Sequence, residues 1–257
     1  MDLFHTGLLF GAGIAGGIMS TLVGGASIVT FPALIAAGLA PAIAVASNLA
    51  AMMPSILYSS YKDRTRLPEF DRTFITAIAA ASIGGIIGAV LLLMTPSKAF
   101  QVLVPLLLGL ATVLFALGRP INAWMRARAM RLHGGEPRVG AAGIAVPLPV
   151  SIYIGYFGAG AGVMLLAMFS IWKAGDYRAA NVMKNLIASL NMLFASLIFV
   201  SQGMVDWGAT AVMMAGGFAG GMIGRQVARV ARQDVMEVVV IAIGSVLTAI
   251  YAWRYWF

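Results

Sequence analysis

Residues 17–38 read GIMSTLVGGASIVTFPALIAAG, and how this stretch folds decides the architecture. It closes an apolar run that begins near residue 3, longer than the roughly 20 helical residues that cross a hydrocarbon core. The adjacent Gly24 and Gly25 in its second half weaken a helix by about 1 kcal/mol each relative to alanine and favour a break. A second over-long apolar run, residues 139–172, carries Gly158, Gly160 and Gly162. Both runs are therefore expected to break at their glycines into hairpin-like half-helices.

The remainder of the chain reads as membrane-embedded too. Of 257 residues, 61% are hydrophobic, 10% are charged and 30 are glycines, against roughly a quarter charged in a soluble domain. Apolar peaks fall at about 3–38, 41–61, 73–94, 99–118, 139–172, 178–200, 207–224 and 235–253, giving about eight hydrophobic segments. Residues 1–17 lack a basic n-region and a small-x-small cleavage site, so they are expected to persist as a span. The basic excess, 17 Lys+Arg against 9 Asp+Glu, sits in loops beside apolar segments, which is a topology signal rather than a sign of nucleic acid.

Counting those basic residues discriminates between two topologies. If every peak crosses once, the loops on one side hold 10 and those on the other hold 6. If the first and fifth peaks return to the side they entered from, Lys62, Arg64, Arg66, Arg72, Lys173, Arg178 and the clusters at residues 119–138 and 225–232 share one side. The balance is then 14 against Lys98 and Arg254, with Lys184 inside a span. The positive-inside rule selects the second model, with both termini outside a plasma (inner) membrane and a cytoplasmic central loop.

The two halves also repeat. A shift of 137 residues lays Gly25 on Gly162, Gly38 on Gly175, Ala42 on Ala179, Asn48 on Asn185 and Leu49 on Leu186. A shift of 136 lays Gly84, Gly85 and Gly88 on Gly220, Gly221 and Gly224. Equivalent loops differ in charge, since residues 62–72 are basic while 201–206 are not, and 94–98 are nearly neutral while 225–232 are basic. The copies are thus expected to lie upside down to one another. The fold class is an all-α polytopic integral membrane protein of two inverted-topology repeats: residues 1–118, a basic linker at 119–138, and residues 139–257. The linker holds Arg119, Arg126, Arg128, Arg131 and Arg138 and reads as a solvated connector in preference to a membrane-surface helix.

The segment from Gly24 to Leu34 resembles the glycine-rich, Pro-x-Leu element that opens the first repeat of the TauE/SafE sulfite exporter family. Gly158-Ala159-Gly160-Ala161-Gly162 resembles its counterpart, and Asn181-Val182-Met183-Lys184-Asn185 with Asn191 resembles the polar start of the next helix. The resemblance spans essentially the whole chain; Ala26 stands where a third glycine is common, and Phe169 falls where Pro32 sits in the first copy. It implies export of sulfite, organosulfonates or related small anions.

The residues favour an anion site independently. A helix that restarts at mid-membrane presents unpaired N–H groups and the positive end of its dipole. Gly24, Gly25, Ser27 and Thr30 would form one such cradle and Gly160 with Gly162 the other; the competing reading is close helix packing, which accounts for Gly84, Gly85, Gly88, Gly220, Gly221 and Gly224. Lys184, seven residues from Tyr177, is either the anion's counter-charge or an amine snorkelling to the headgroups. Asn48 and Asn185 offer paired amides, for a pocket or for interhelical hydrogen bonds, and Asn181 shares the helical face of Lys184 and Asn185.

Several chemistries are excluded. The chain has no cysteine and only His5 and His133, so no thiolate or histidine-rich metal site is expected, and no cofactor. All nine acids lie in or beside loops. Hydrolase and nucleotide-binding motifs are absent, so no enzyme is expected. The reading is a secondary transporter exporting small anions by alternating access, with an anion channel or a non-transporting scaffold as alternatives. Its partners are a small anionic substrate and the lipid bilayer, with no nucleic acid and with a homo-oligomer left open.

Overall fold

The computed structural model describes residues 2–256 apart from 23, 69, 71, 119, 122, 125, 126, 128–146, 173–176, 231 and 232. Most of the basic linker, Lys173 and Gly175 therefore lie outside the described residues. Among those described there are ten α-helices and no strand: α1 (Leu3–Leu22), α2 (Ser27–Ala36), α3 (Pro41–Lys62), α4 (Arg72–Met94), α5 (Ser97–Ala116), α6 (Pro147–Tyr156), α7 (Ala161–Trp172), α8 (Tyr177–Ser201), α9 (Trp207–Val230) and α10 (Gln233–Trp256).

Local chemistry sets the boundaries. Pro41 opens α3 at a position whose N–H has no intrahelical acceptor, after an extended Ala40. Gly38 (φ +95°) closes α2 in a Schellman turn in which Leu39 N–H donates to Leu34 O, and Gly203 (φ +67°) does the same after α8, with Met204 N–H on Phe199 O. Both over-long runs break at their glycines, α1 from α2 around residues 23–26 and α6 from α7 around 157–160. The first hairpin folds back on itself: a Cβ at Gly16 would meet the Thr30 methyl at 2.5 Å.

The expectation of paired half-helices needs correcting for α1. Its 20 residues make it about 30 Å long, a full crossing, whereas α2 has 10 and is about 15 Å. The glycine pair comes late in the run, so the arms are unequal. Six helices among the described residues, α1, α3, α4, α5, α8 and α10, are long and apolar enough to cross a bilayer, fewer than the eight peaks read from hydropathy. The short α2 and α7 cover only half that thickness, and α9, though 24 residues long, is diluted by glycine.

At the centre α3 and α8 run antiparallel, tied where Asn185 Nδ2 donates to Ser59 Oγ (3.5 Å) and Ser60 Oγ to Val182 O (3.3 Å). Two glycine-mediated pairs flank them. Along α1 and α9, Gly13 approaches Gly217, with a Cβ there only 2.9 Å from Gly217 N, and Gly220 lies against the Ile14 carbonyl. Along α4 and α6, Gly84 lies against Ser151, Gly88 against Ile152 and Tyr156, and Gly155 against Gly85. Gly85 also abuts Asn191, and Gly221 abuts Ser55. These glycines serve close helix approach, as their spacing suggests. Three kinds of packing recur with the halves exchanged: α1 packs on α9 and α6 on α4, α3 on α9 and α8 on α4, and α2 on α10 and α7 on α5.

The outer faces are apolar. Ile83, Ile87 and Leu91 of α4, Val102, Leu106 and Leu110 of α5, and Val239, Val246 and Ile250 of α10 are exposed, as lipid-facing side chains should be. Trp207, Trp253 and Trp256 are exposed at helix ends, where indoles anchor at the headgroups.

The glycine contacts yield a stability test. Gly220→Ala pushes a methyl into the α1 backbone and is expected to cost about 1–3 kcal/mol as overpacking. Gly7→Ala, with nothing within 4 Å of the added carbon, should cost nothing. Thermal unfolding in detergent compares the two.

Candidate functional site

The site begins with the two breaks. Gly24 adopts φ +93° and Gly160 φ +74°, left-handed conformations that strain any residue with a Cβ. They bring the breaks into contact: a Cβ at Gly24 would lie 2.9 Å from Gly162 Cα, and one at Gly162 would collide with the Gly24 carbonyl. The first amides of a helix lack the usual acceptor one turn back; here Ile28 and Val29 N–H turn to Gly25 O and Ala26 O, and Val163 N–H to Gly160 O, tightening the first turns of α2 and α7 beside this junction.

Lys184, on α8, supplies the charge. Its side chain is 1% exposed, and its ammonium donates to Ser20 O at 3.2 Å. A Cβ at Gly24 would sit 3.3 Å from that same Nζ. The amine thus turns toward the meeting point of the two breaks, and the snorkelling geometry is not the one adopted. Among the described residues no carboxylate is paired with it.

Lys184, Ser20, Ser27, Asn185, Gly24 and Gly162 line a small cavity between the breaks and α8. Gly158 and Ala161 complete the second break's share of its wall, and Met52, Ile56, Ile154 and Met192 close it with apolar surface. Its free volume of about 30 Å³ holds one or two waters, given roughly 10–15 Å³ for each. One cation, two hydroxyls and an amide in an otherwise apolar chamber can neutralise and orient a small oxyanion, as ligand sites do with a few placed polar groups. Asn185 Oδ1 is buried without a hydrogen-bond partner.

Of the residues singled out from sequence, Gly24, Ser27, Gly162, Lys184 and Asn185 come together on the cavity wall. The others stand outside that wall. Gly25 packs under the Phe115 ring and Gly160 against the Ala111 backbone. Thr30 Oγ1 donates to Asn48 Oδ1 at 2.6 Å, and Asn48 Nδ2 donates to Ser27 Oγ at 2.9 Å, so the amide pins the start of α2 to α3. Asn181 is half-buried one turn before Lys184. Asn191, whose Nδ2 donates to both Ala81 O (2.7 Å) and Ser151 O (2.9 Å), clamps α8 onto α4 and α6. Ser20 was not anticipated; its signal was a hydroxyl residue in an apolar run four positions before the first glycine of the break. Gly158, left-handed at φ +78°, joins the wall as a third glycine of the second break.

The Asn48 bridge predicts that Asn48→Leu leaves the Ser27 and Thr30 hydroxyls without that partner in a buried setting, at a cost of about 1–3 kcal/mol. A thermal midpoint in detergent equal to that of the parent protein would contradict the bridge.

Comparison with known proteins agrees with this architecture. The model of the sulfite exporter TauE/SafE family matches residues 9–251. The probable membrane transporter protein YfcA of Escherichia coli (strain K12) is 26% identical over 244 residues, covering 95% of this chain and 88% of the relative. A probable membrane transporter protein of Haemophilus influenzae is 27% identical over 245 residues, covering 94% of this chain and 92% of the relative. No solved structure matches the chain. These relatives are membrane transporters and not enzymes, and with the match running nearly end to end, the chain belongs to the TauE/SafE sulfite exporter family.

Proposed function

We propose that the protein is a secondary transporter that exports a small anion, such as sulfite or an organosulfonate, by alternating access. The observation that carries this reading is a buried lysine amine, Lys184, facing the junction of two interrupted helices with no carboxylate beside it among the described residues. A site built that way is complementary to one negative charge: the amine neutralises it, while helix-start amides and the Ser27 hydroxyl can donate to its oxygens. Gly24, Ser27, Gly162, Lys184 and Asn185 form the binding surface in this conformation. Gly25, Thr30, Asn48, Gly160 and Asn181 support it from behind or join it as the cavity opens.

The reading includes two inverted repeats, residues 1–118 and 139–257, joined by the cytoplasmic linker at 119–138, with both termini outside. What supports the repeat is the correspondence of helix pairs between the halves, together with the 137-residue register that relates Asn48 to Asn185. The cavity, with room for a water or two, is too small for a sulfonate, which supports a carrier that must rearrange over a continuously open pore.

In proteoliposomes, saturable counterflow of labelled sulfite or an organosulfonate is expected, and ohmic single-channel current would instead indicate a channel. Lys184→Ala should lower that flux at least tenfold, a loss of about 1.4 kcal/mol or more in substrate interaction, while Lys98→Ala leaves it unchanged. Equal flux in the two variants would remove Lys184 from the site. The topology has its own check: cysteines introduced at residues 62–66 and 225–229 should be labelled from the same face of the membrane, and opposite-face labelling would rule out the inverted arrangement.

A further inference from the structure

The cavity contains one titratable group and nothing to balance its charge. Lys184 has three ammonium hydrogens and one protein acceptor, Ser20 O, and no other described residue lining the cavity ionises. Titratable groups on the surrounding helices are engaged elsewhere. On α6, the Tyr153 hydroxyl donates to Ala159 O and the Tyr156 hydroxyl lies 3.2 Å from Thr95 Oγ1. On α3, Tyr58 packs against Phe218, while Tyr61 and Lys62 are exposed. On α1, His5 pairs with Asp2 at the far end of the helix. Arg72 is exposed at the start of α4, Arg178 is exposed at the start of α8, and α7 has no ionisable side chain.

An unpaired ammonium is disfavoured at membrane depth, and a bound anion removes that penalty. The charge on the amine and the occupancy of the site are therefore linked, each favouring the other. Resting on the carrier reading above, we propose that the proton is the co-transported ion and Lys184 its carrier. In the empty cavity the side chain is a neutral amine. As the anion enters, the Nζ lone pair takes one proton from water continuous with the open side, forming an N–H bond and an ammonium–anion pair. On the opposite side the N–H bond breaks, the proton returns to water and the anion leaves. One proton and one anion cross together, so a monovalent substrate moves without net charge; export runs down the anion's own gradient and is opposed by an alkaline interior.

The test uses the full-length protein in proteoliposomes with isethionate (2-hydroxyethanesulfonate), a strong acid that carries no proton of its own, and an internal pH dye. An inside-alkaline gradient is expected to drive isethionate accumulation approaching about tenfold per pH unit, with one proton entering per anion and no response to a potassium-valinomycin potential. Accumulation that follows the potential while internal pH stays constant would overturn the proposal. Lys184→Arg, which keeps a charge that does not titrate, should lose pH-driven accumulation, and whatever isethionate exchange it shows should move no protons. Coupled accumulation in that variant would assign the proton to another group and overturn the role of Lys184. If the arginine variant fails to fold, the wild-type gradient experiment still decides. Exchange without proton movement sinks the coupling alone. Absence of exchange for both isethionate and sulfite sinks the carrier reading and the coupling with it.

Discussion

A backbone that stops being helical inside a bilayer must find partners for its freed N–H and C=O groups, and in this chain they come from within each break, with Gly24 N–H on Met19 O and Gly158 N–H on Tyr153 O, and from polar side chains that reach the breaks. Gly24 and Gly162 touch backbone to backbone, and the ammonium of Lys184 takes up the Ser20 carbonyl near the end of α1. A single break facing lipid would leave its polar groups exposed to hydrocarbon, at several kcal/mol for each group. Bringing the breaks together converts that cost into a small polar chamber closed by Met52, Ile56, Ile154 and Met192. Within the carrier reading, the polar groups gathered at the broken backbone are also the ones that would receive the anion.

Holding the breaks in contact requires the helices behind them to sit closer than ordinary side chains permit. The glycines of α1 and α9, and of α4, α6 and their neighbours, provide that approach, since lipid supplies no hydrophobic force between helices and packing must do the work. The pairs are formed across the chain: α1 from the first half rests on α9 from the second, and α6 from the second rests on α4 from the first. Asn191 reinforces one cross-chain group by tying α8 to α4 and α6, and Ser55 reinforces the other by donating to Gly217 O from α3. A rigid-body movement would therefore carry helices of both sequence halves in each unit. The halves as written along the chain are not the mechanical parts.

Hydropathy and glycine placement announced the membrane class and both breaks, because 20-residue apolar spacing and the helix cost of adjacent glycines are local properties. They missed the unequal arms of the first hairpin. The position of Gly24-Gly25 fixes where the helix ends, but nothing local says how far α1 tilts before it reaches that depth. At the site, Lys184 stood out as an ionisable residue within an apolar span, yet its direction depended on where α1 ended. That is a tertiary fact, and so is the hydrogen bond to Ser20. Asn48 and Asn185 share a register in sequence but separate in role. Asn48 meets Ser27 and Thr30 at the start of α2, whereas Asn185 faces the cavity with its carbonyl oxygen unpartnered. Equivalent positions acquire different neighbours once the hydroxyls of the first break have no exact counterparts among Gly160, Ala161 and Gly162.

That asymmetry bears on how an anion is handled within the carrier reading. On one side of the chamber the helix start is anchored by a hydroxyl–amide network, so the first cradle is preorganised and loses little entropy on binding. On the other, the Tyr153 hydroxyl holds Ala159 O, while Gly160, Ala161 and Gly162 carry no polar side chain of their own. The Gly24–Gly162 contact lies between them and leaves room for little more than water. Within the carrier reading, an anion larger than that can enter only by parting the two breaks. The Gly24–Gly162 contact of the closed state is then the one that the substrate must part, with its own oxygens accepting from amides that the parted breaks expose. Binding and opening become a single exchange of partners, which is how a site at mid-membrane can open without leaving polar backbone uncompensated.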